Sequence, residues 1–259
     1  MSAPETTSPI AVGIDIGGSA VKGAAVRLAT GELADDRVLE RTPTPSTPSA
    51  VADVVASVAS RITADGPVGV TFPGVVHAGI IETAANVDLS WIGIDANALF
   101  SRRLGRPVVV LNDADAAGIA EMAFGAGRDR QGVVMMVTIG TGIGSALFVD
   151  GRLVPNTEFG HIIVAGEDGE KLAAASVRTA QDLSWETWSE RLNAYLARLE
   201  CLIAPDLIIL GGGISRDHVE FLPRLRARAE LVPAQLFNDA GIVGAALATA
   251  ASGAVRGHA

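Results

Sequence analysis

Three glycine-rich turns contain the residue types that bind phosphate groups. Each directly follows an apolar run, and they read DIGGSAVKG over 15–23, TIGTGIGS over 138–145 and LGGGIS over 210–215. Because glycine has no Cβ, the backbone can approach an anion closely, and successive N–H groups can point at the same oxygen atoms. One such turn alone is more often a plain hairpin. Three of them, with Lys22 in the first and Lys171 the only other lysine of the chain, favour phosphate binding.

A pair of carboxylates stands at the end of another apolar run, in VVVLNDADAAG over 108–118. The end of a strand is where an α/β sheet usually carries function, so Asp113 is a candidate general base for a hydroxyl group. Asn112 beside it offers both a donor and an acceptor. The alternative is that Asp113 or Asp115 caps the helix that follows, and for Asp115 we favour the cap.

Glu158 and His161 lie on either side of a glycine in NTEFGH. This spacing suits two side chains that reach one polyol, because a carboxylate accepts hydrogen bonds and an imidazole can donate one. His161 taken alone is equally compatible with a satisfied core histidine. The pair therefore adds a polyol ligand to the phosphate chemistry as a hypothesis.

The composition is that of a globular protein. The chain has 259 residues, of which 49% are hydrophobic and 19% charged, enough for one large or two modest domains. A net charge of -9 argues against nucleic-acid binding. The polar start MSAPETTSP and the lack of a long apolar run predict no membrane span and a cytoplasmic protein. The single cysteine, Cys201, excludes an internal disulfide, and we expect it to be a buried small residue.

Alternating strands and helices must position these residues, which predicts an α/β protein. The strands IAVGIDIG and GAAVRLA, with a reversal at Thr30 and Gly31, predict an antiparallel meander. Thr47 and Pro48 predict the N-cap and first position of a helix, whose apolar stripe is Val51, Val54, Val55, Val58 and Ile62. PVGVTF and RPVVVLND predict two further strands.

The second half repeats the opening pattern. VVMMVTIGTGIGSALFVDGRLV is again a strand, a glycine-rich turn and a strand, with a tight turn at Asp150 and Gly151, which indicates two related halves. Between Ser184 and Pro205 we predict an amphipathic helix, whose apolar side is Trp188, Leu192, Leu196, Leu199 and Ile203. DLIILGGGIS predicts a buried strand, and AGIVGAALATAASGAV predicts a final helix that can pack closely on a neighbour.

The motifs DIGGSAVKG, FPGVV, NDADAAG, GTGIGSAL, EFGH and GGGIS together resemble the ROK family of sugar kinases and repressors. AANVDLSWIG, PNTEFGH and NDAGIVGAA resemble its actinobacterial polyphosphate glucokinases more closely. The resemblance implies an actin-like, ribonuclease H-like duplicated fold with two α/β domains around a cleft. It implies a tail over 1–9, a small domain over 10–112 that a C-terminal helix over about 243–259 rejoins, and a large domain over 113–242.

The resemblance also implies an activity and a set of roles. The expected reaction transfers a phosphoryl group from inorganic polyphosphate to the 6-hydroxyl of glucose. Asp113 would be the catalytic base and Asp15 would face Mg²⁺. The sugar-binding residues would be Gly74, Asn86, Asn112, Glu158 and His161. The phosphate-binding residues would be Gly17, Gly18, Lys22, Thr141 and Gly142, to which we add Gly212 of the third turn. A homodimer is expected.

One departure from the family pattern concerns the segment after EFGH. Many members carry a cysteine-rich zinc site there, followed by a glutamate that binds sugar. The segment IIVAGEDGEKLAAAS has no cysteine, so we expect no structural zinc. Glu170 is the candidate for the last sugar ligand by position, and a solvated acidic loop residue is the equal alternative.

Two other functions stay open at this stage. The first is an ATP-dependent ROK glucokinase or hexokinase, and the second is a non-catalytic sugar sensor, which needs neither Asp113 nor Asp15. A DNA-binding repressor has little room, because only a short tail precedes the first strand. We expect no nucleic acid and no membrane among the partners.

A long polyanion that approaches an acidic protein needs a local path of cations. Lys22 is its expected inner end. Arginines near the glycine-rich motifs are candidates for the rest, although an ordinary surface role is favoured for each one singly: Arg128, Arg130, Arg152 and Arg216.

Overall fold

The chain folds into two compact α/β units. The computed structural model describes residues 9–85 and 87–256. One unit takes the chain up to Ala116 and again from Gly241, and the other takes Ala117–Ala240. The predicted α/β class is confirmed, while the domain bounds given above stay a prediction.

The first unit is built on a five-stranded sheet. Its elements are, in chain order, β1 (Ile10–Ile16), β2 (Ala20–Arg27), β3 (Val38–Arg41), α1 (Pro48–Ser60), β4 (Val68–Phe72), β5 (Val76–His77), β6 (Ile80–Ile81), α2 (Ala96–Leu104) and β7 (Val108–Asn112). The sheet order is β3-β2-β1-β4-β7, in which β1, β4 and β7 run parallel and the other neighbours are antiparallel. The predicted meander is therefore the pairing of β1, β2 and β3.

The second unit repeats this sheet. Helix α3 (Asp113–Phe124) leads to β8 (Val133–Ile139), β9 (Ile143–Val149), β10 (Arg152–Val154), β11 (Ile163–Val164), β12 (Glu167–Asp168), α4 (Gly169–Ala173), α5 (Ala175–Ala180), α6 (Trp185–Ile203), β13 (Leu207–Gly211), α7 (His218–Phe221), β14 (Glu230–Pro233) and α8 (Ala240–Arg256). The order β10-β9-β8-β13-β14 has the same sequence of antiparallel and parallel neighbours as the first sheet. The repeated hairpin seen in the sequence is thus part of a repeated sheet.

Local signals account for the start of one helix and for one turn. Thr47 Oγ1 accepts a hydrogen bond from the Ala50 N–H at 3.4 Å, and Pro48 opens α1 as predicted. Asp150 and Gly151 have φ of 49° and 75°, the two positive values that a two-residue hairpin turn requires. The predicted stripes are the buried faces of α1 and α6, including Val51, Val55 and Val58 in α1 and Trp188, Leu192, Leu196 and Leu199 in α6.

Two expectations from composition can be examined in the structure. Cys201 is exposed, so the prediction of a buried cysteine is wrong. It lies two positions beyond the buried Leu199 in α6, a rotation of about 200° around the helix axis, which turns it away from the core. Across the described ranges, no helix is both long and apolar enough to cross a membrane.

A buried carboxylate holds the loop that precedes α8. Glu121 in α3 is 0% exposed. Its Oε1 accepts hydrogen bonds from the N–H groups of Gln235 and Leu236 at 2.8 and 2.7 Å, and its Oε2 accepts one from Ala126 at 2.8 Å. Buried charge is tolerated when it is hydrogen-bonded in this way. The carboxylate therefore orders the connection between β14 and α8 within the second unit.

Helix α8 packs on the first sheet through backbone atoms. A Cβ placed on Gly13 of β1 would lie 1.9 Å from the Ile242 carbonyl oxygen, and one on Gly69 of β4 would lie 1.8 Å from that of Ala245. Gly244 in α8 is equally confined, since its Cβ would lie 1.7 Å from the Ala116 carbonyl oxygen. Glycine is required at Gly13 and Gly69 because no side chain fits between α8 and the strands, and at Gly244 because none fits between α8 and α3.

We expect Gly69→Ala to destabilise the protein by about 3 kcal/mol, at the upper end of the usual cost of overpacking, because the new methyl group meets a backbone oxygen that cannot rotate away. The measurement is the free energy of unfolding in urea. Gly18→Ala is the matched control, since a Cβ at Gly18 meets no heavy atom within 4 Å. Equal stability of the two variants would contradict the proposed close approach.

Candidate functional site

The candidate site of the first unit lies at one edge of its sheet. Strands β1, β4 and β7 are parallel neighbours, so their carboxyl ends meet at the same edge. Asp15 is near the end of β1, Thr71 near the end of β4, and Asn112 and Asp113 are at the end of β7 and the start of α3. The topology therefore brings together four polar residues from three distant parts of the sequence.

Asp15 is held by two side chains. It pairs with Lys22 across β1 and β2, and Lys22 Nζ lies 3.1 Å from Asp15 Oδ2. The Thr71 hydroxyl donates to Asp15 Oδ1 at 2.7 Å and accepts a hydrogen bond from the Ile16 N–H at 3.0 Å. The side chains of Lys22 and Asp15 remain 22% and 16% exposed. An anion and a cation thus stand side by side at the first glycine-rich turn, both within reach of solvent.

The start of α8 lies next to this carboxylate. A Cβ on Gly241 would be only 2.8 Å from Cγ and Oδ1 of Asp15. The first turn of a helix carries the positive end of the helix dipole, which stabilises a nearby negative charge. Glycine at this position therefore permits the contact between α8 and Asp15.

The first glycine-rich turn is tight on one side and open on the other. The Gly17 N–H donates to the Ala20 carbonyl at 3.0 Å, and the Thr42 hydroxyl donates to the Gly17 carbonyl at 2.6 Å. At Gly18, by contrast, a Cβ would meet no heavy atom within 4 Å. The predicted phosphate-binding turn is fixed at Gly17 and leaves space at Gly18.

Asn112 caps helix α3. Its Oδ1 accepts a hydrogen bond from the Asp115 N–H at 3.0 Å, and its Nδ2 donates to the Gly74 carbonyl at 3.1 Å. The prediction that Asp115 is the cap is wrong, because Asp115 lies inside α3 and its N–H is the group being capped. Asp113 is the first residue of the helix, where its Oδ1 accepts from the Ala114 N–H at 2.8 Å. Asn86 lies outside the described residues.

The other two glycine-rich turns are neighbours in the second unit. They follow β8 and β13, which are parallel partners with Gly211 opposite Thr138. Gly212 has φ of 81°, and a Cβ there would lie 2.5 Å from the Ile139 carbonyl oxygen. The two turns therefore touch through backbone atoms, and only glycine fits at Gly212.

A chain of ionisable side chains surrounds His161. His161 Nδ1 lies 3.0 Å from Asp168 Oδ2, and His161 Nε2 lies 3.8 Å from Glu158 Oε2. The side chains of His161 and Glu158 are 45% and 40% exposed. The alternative of a core histidine is therefore wrong, because the ring is open to solvent and a carboxylate lies near each of its two nitrogens.

The pKa values in this cluster are shifted. The hydrogen bond with Asp168 raises the pKa of His161, against the opposing effect of burial. Burial raises the pKa of Glu158, although His161 acts to lower it. Burial also acts to raise the pKa of Asp168, but the hydrogen bonds from His161 and from the Glu170 N–H hold it below its ordinary value. The cluster thus favours a protonated ring beside an ionised Asp168.

Glu170 lies at the second glycine-rich turn. It is in the first turn of α4, partly buried, and its Oε2 accepts a hydrogen bond from the Ile143 N–H at 3.0 Å. A Cβ on Gly142 would lie 2.0 Å from that oxygen, so glycine makes the contact possible. The alternative of a solvated loop residue is wrong. Since the Ile143 N–H is already bonded to Glu170, the phosphate prediction at this turn concerns the N–H groups of Thr141 and Gly142.

The candidate arginines differ in how far their charge is neutralised. Arg130 forms a bidentate ion pair with Glu230, with N–O distances of 2.9 and 2.8 Å. Arg128 lies 3.7 Å from Asp129. Within residues 9–85 and 87–256, Arg152 and Arg216 have no carboxylate within 4.0 Å, and both are exposed. Of the four candidates, these two have the most charge to offer an anion.

Two site residues were missed by sequence reasoning. Thr71 stands in an apolar strand, VGVTF, where a hydroxyl partner for Asp15 has no local signal. Asp168 does have a signal, since Asp-Gly-Glu is a typical start of a helix, and it does cap α4 through the Glu170 N–H at 3.0 Å. Its bond to His161 depends on the fold of the intervening loop and could not be read locally.

Comparison with known proteins identifies the family. Residues 11–171 match the model of the ROK family. The chain belongs to this family. The ROK resemblance stated from the sequence is confirmed, and with it the actin-like, duplicated α/β fold.

Relatives of the ROK chain are similar over nearly its whole length. Polyphosphate glucokinase from Mycobacterium tuberculosis is 49% identical over 95% of this chain and 93% of its own. The crystal structure of an inorganic polyphosphate/ATP-glucomannokinase from Arthrobacter sp. strain KM is 49% identical, with a TM-score of 0.91 over 94% of this chain and 99% of the other. A ROK glucokinase from Streptomyces griseus, solved with glucose and AMPPNP, is 25% identical, with a TM-score of 0.77 over 92% and 98%.

We expect Thr71→Val to lower both stability and turnover. Valine keeps the shape but leaves the Ile16 N–H without its partner, which costs about 1–3 kcal/mol, and releases Asp15 Oδ1. Thr71→Ser is the control, since it keeps the hydroxyl. Urea unfolding and kcat of the two variants test the role, and equal kcat in Thr71→Val and wild type would show that Asp15 does not depend on Thr71.

Proposed function

We propose that this ROK protein is a polyphosphate-dependent glucokinase, which transfers a phosphoryl group from inorganic polyphosphate to the 6-hydroxyl of glucose to give glucose 6-phosphate. The observation that carries the proposal is the 49% identity to a polyphosphate glucokinase over 95% of the chain. Phosphoryl transfer needs positioned phosphates, a base near the acceptor hydroxyl and neutralised charge. Each of these requirements has candidate residues at the ends of the parallel strands of the two sheets.

Asp113 is the proposed general base. It would take the proton of the glucose 6-hydroxyl as the oxygen bonds to phosphorus. Its position at the start of α3, directly after β7, supports the role, because the positive end of the helix dipole stabilises the negative charge of a base at this position.

Asp15 is the proposed residue for a magnesium ion. Within the described residues no group of three or more His, Cys, Asp or Glu side chains converges on one point. Magnesium does not need such a group, because it commonly takes one or two carboxylates together with substrate phosphates and water. The partly exposed carboxylate of Asp15 fits that pattern. A bound ion would neutralise the phosphates, and Lys22 would exchange its contact with Asp15 for one with a phosphate oxygen.

The sugar would bind to the residues around His161. Glu158 and His161 offer an acceptor and a donor to one hydroxyl, and Glu170 offers a second carboxylate nearby. Asn112 and Gly74 already form hydrogen bonds within the protein. The Asn112 Oδ1 accepts from the Asp115 N–H, and its Nδ2 donates to the Gly74 carbonyl. One Nδ2 hydrogen of Asn112 is left for a hydroxyl.

An ATP-dependent glucokinase is the second candidate. Two relatives favour it, because one is named for polyphosphate and ATP together and another was solved with AMPPNP. A glucomannokinase among the relatives also makes mannose a candidate acceptor. The homodimer, the cytoplasmic location and the absence of structural zinc stay predictions.

Asp113→Asn tests the base. We expect kcat to fall by a factor of about 100 or more, because the amide cannot take a proton, whereas glucose affinity changes little. Steady-state kinetics and calorimetric glucose binding measure the two effects. Turnover near that of wild type would remove Asp113 from the mechanism.

The choice of donor has its own test. We expect kcat/KM for long-chain polyphosphate to exceed that for ATP at fixed magnesium and ionic strength, and to fall more steeply with added salt. Lys22→Ala should impair both donors. Arg216→Ala should impair polyphosphate use more than Arg130→Ala, the matched control whose charge Glu230 already neutralises. If kcat/KM for polyphosphate were well below kcat/KM for ATP, the protein would be an ATP-dependent glucokinase.

A further inference from the structure

Asp168 connects two of the proposed sugar ligands. Its Oδ2 lies 3.0 Å from His161 Nδ1, and its Oδ1 accepts a hydrogen bond from the Glu170 N–H at 3.0 Å. Both oxygens of one carboxylate are therefore engaged, one with the ring of His161 and the other with the backbone of α4. The Asp168 side chain is 24% exposed, so water has partial access to its bond with His161.

On the opposite side of the His161 ring, a gap separates Nε2 from the Glu158 carboxylate. His161 Nε2 and Glu158 Oε2 are 3.8 Å apart, too far for a direct hydrogen bond. A hydroxyl oxygen can lie about 2.8 Å from both atoms and accept from one while it donates to the other. Such a hydroxyl has a single hydrogen, so it needs one donor and one acceptor on the protein.

We infer that Asp168 is a positioning residue of the sugar site: it holds His161 Nδ1–H, so that the ring is an imidazolium whose Nε2–H donates to the hydroxyl that Glu158 accepts from. The inference rests on the proposed function for the nature of its ligand. A neutral ring would present a lone pair at Nε2, and His161 and Glu158 would then compete for one hydrogen. The charged ring removes this conflict.

The surroundings of His161 favour the charged ring. The ionisable groups that act on it are Asp168, Glu170 and Glu158, all of which raise its pKa. From α6, the Tyr195 hydroxyl donates to the Phe159 carbonyl at 3.2 Å, and burial raises the pKa of this phenol, so it stays neutral. No cation opposes the imidazolium among these groups.

Asp168→Asn is the main test, because asparagine keeps the shape and the cap of α4 but removes the charge. The chain has four histidines, so imidazole NMR signals can be assigned with His161→Gln as reference. We expect the pKa of His161 to fall in Asp168→Asn, because the hydrogen bond and the charge that raise it are weakened or lost. Since the glucose KM should rise as His161 loses its proton, that rise should move to lower pH by the same amount. The change at low pH that reflects protonation of Glu158 should stay in place.

The kinetic expectation is specific to positioning. At a pH between the two His161 pKa values, the glucose KM of Asp168→Asn should be about tenfold above wild type, with kcat at saturating glucose largely kept. Asp168→Ser, which also caps helices, should behave in the same way. Asp95→Asn is the matched control, since Asp95 caps α2 through the Ala98 N–H at 2.8 Å without contacting a histidine.

Several outcomes would overturn the inference. An unchanged His161 pKa in Asp168→Asn, or a KM increase that is the same at every pH, would make Asp168 a structural cap only. A wild-type His161 signal that does not respond to added glucose would remove the sugar hydroxyl from the model. Failure of the proposed function is distinguishable, because a protein that binds glucose at His161 but transfers no phosphoryl group from any donor would keep the inference and lose the activity.

Discussion

The first unit depends on direct contact between the backbone of α8 and its sheet. The carbonyl oxygens of Ile242 and Ala245 lie where the Cβ atoms of Gly13 and Gly69 would be in any other residue. Because no side chain separates helix from strands, α8 has little freedom to slide. Its first turn is thereby set beside Asp15, with Gly241 against the carboxylate. The packing that completes this core therefore also determines the surroundings of a proposed catalytic group.

The repeated sheet serves different chemistry in each unit. In the first, the ends of parallel strands present Asp15 and Asp113, both carboxylates, near the starts of helices that stabilise negative charge. In the second, the equivalent ends carry the turns around Gly140 and Gly212, which contact each other through the backbone. The same topology thus places two carboxylates in the first unit, one proposed as a general base and one as a metal residue. In the second unit it places two glycine-rich turns, and the proposed sugar ligands belong to the same unit.

Sequence reasoning succeeded where the signal was local. Strands, the cap at Thr47 and the turn at Asp150 and Gly151 all follow from short-range rules of period, capping and positive φ. It failed where a residue's hydrogen-bond partner is distant in the sequence, and where several neighbouring residues could each serve as a helix cap. Asn112 rather than Asp115 caps α3, and nothing in NDAD distinguishes one possible cap from the next. The contact of Thr71 with Asp15 spans 56 residues and needs the parallel pairing of β1 and β4.

Charge pairing explains how an acidic chain can use an anionic substrate. A net charge of -9 repels polyphosphate at long range, so binding must depend on cations whose charge is not already neutralised. Arg130 contributes little field because Glu230 binds it through both oxygens. Lys22 differs, since its partner Asp15 is also the proposed metal residue. If Asp15 held a magnesium ion, Lys22 would be free to contact a phosphate oxygen, so the metal and the phosphate chain would each favour the binding of the other.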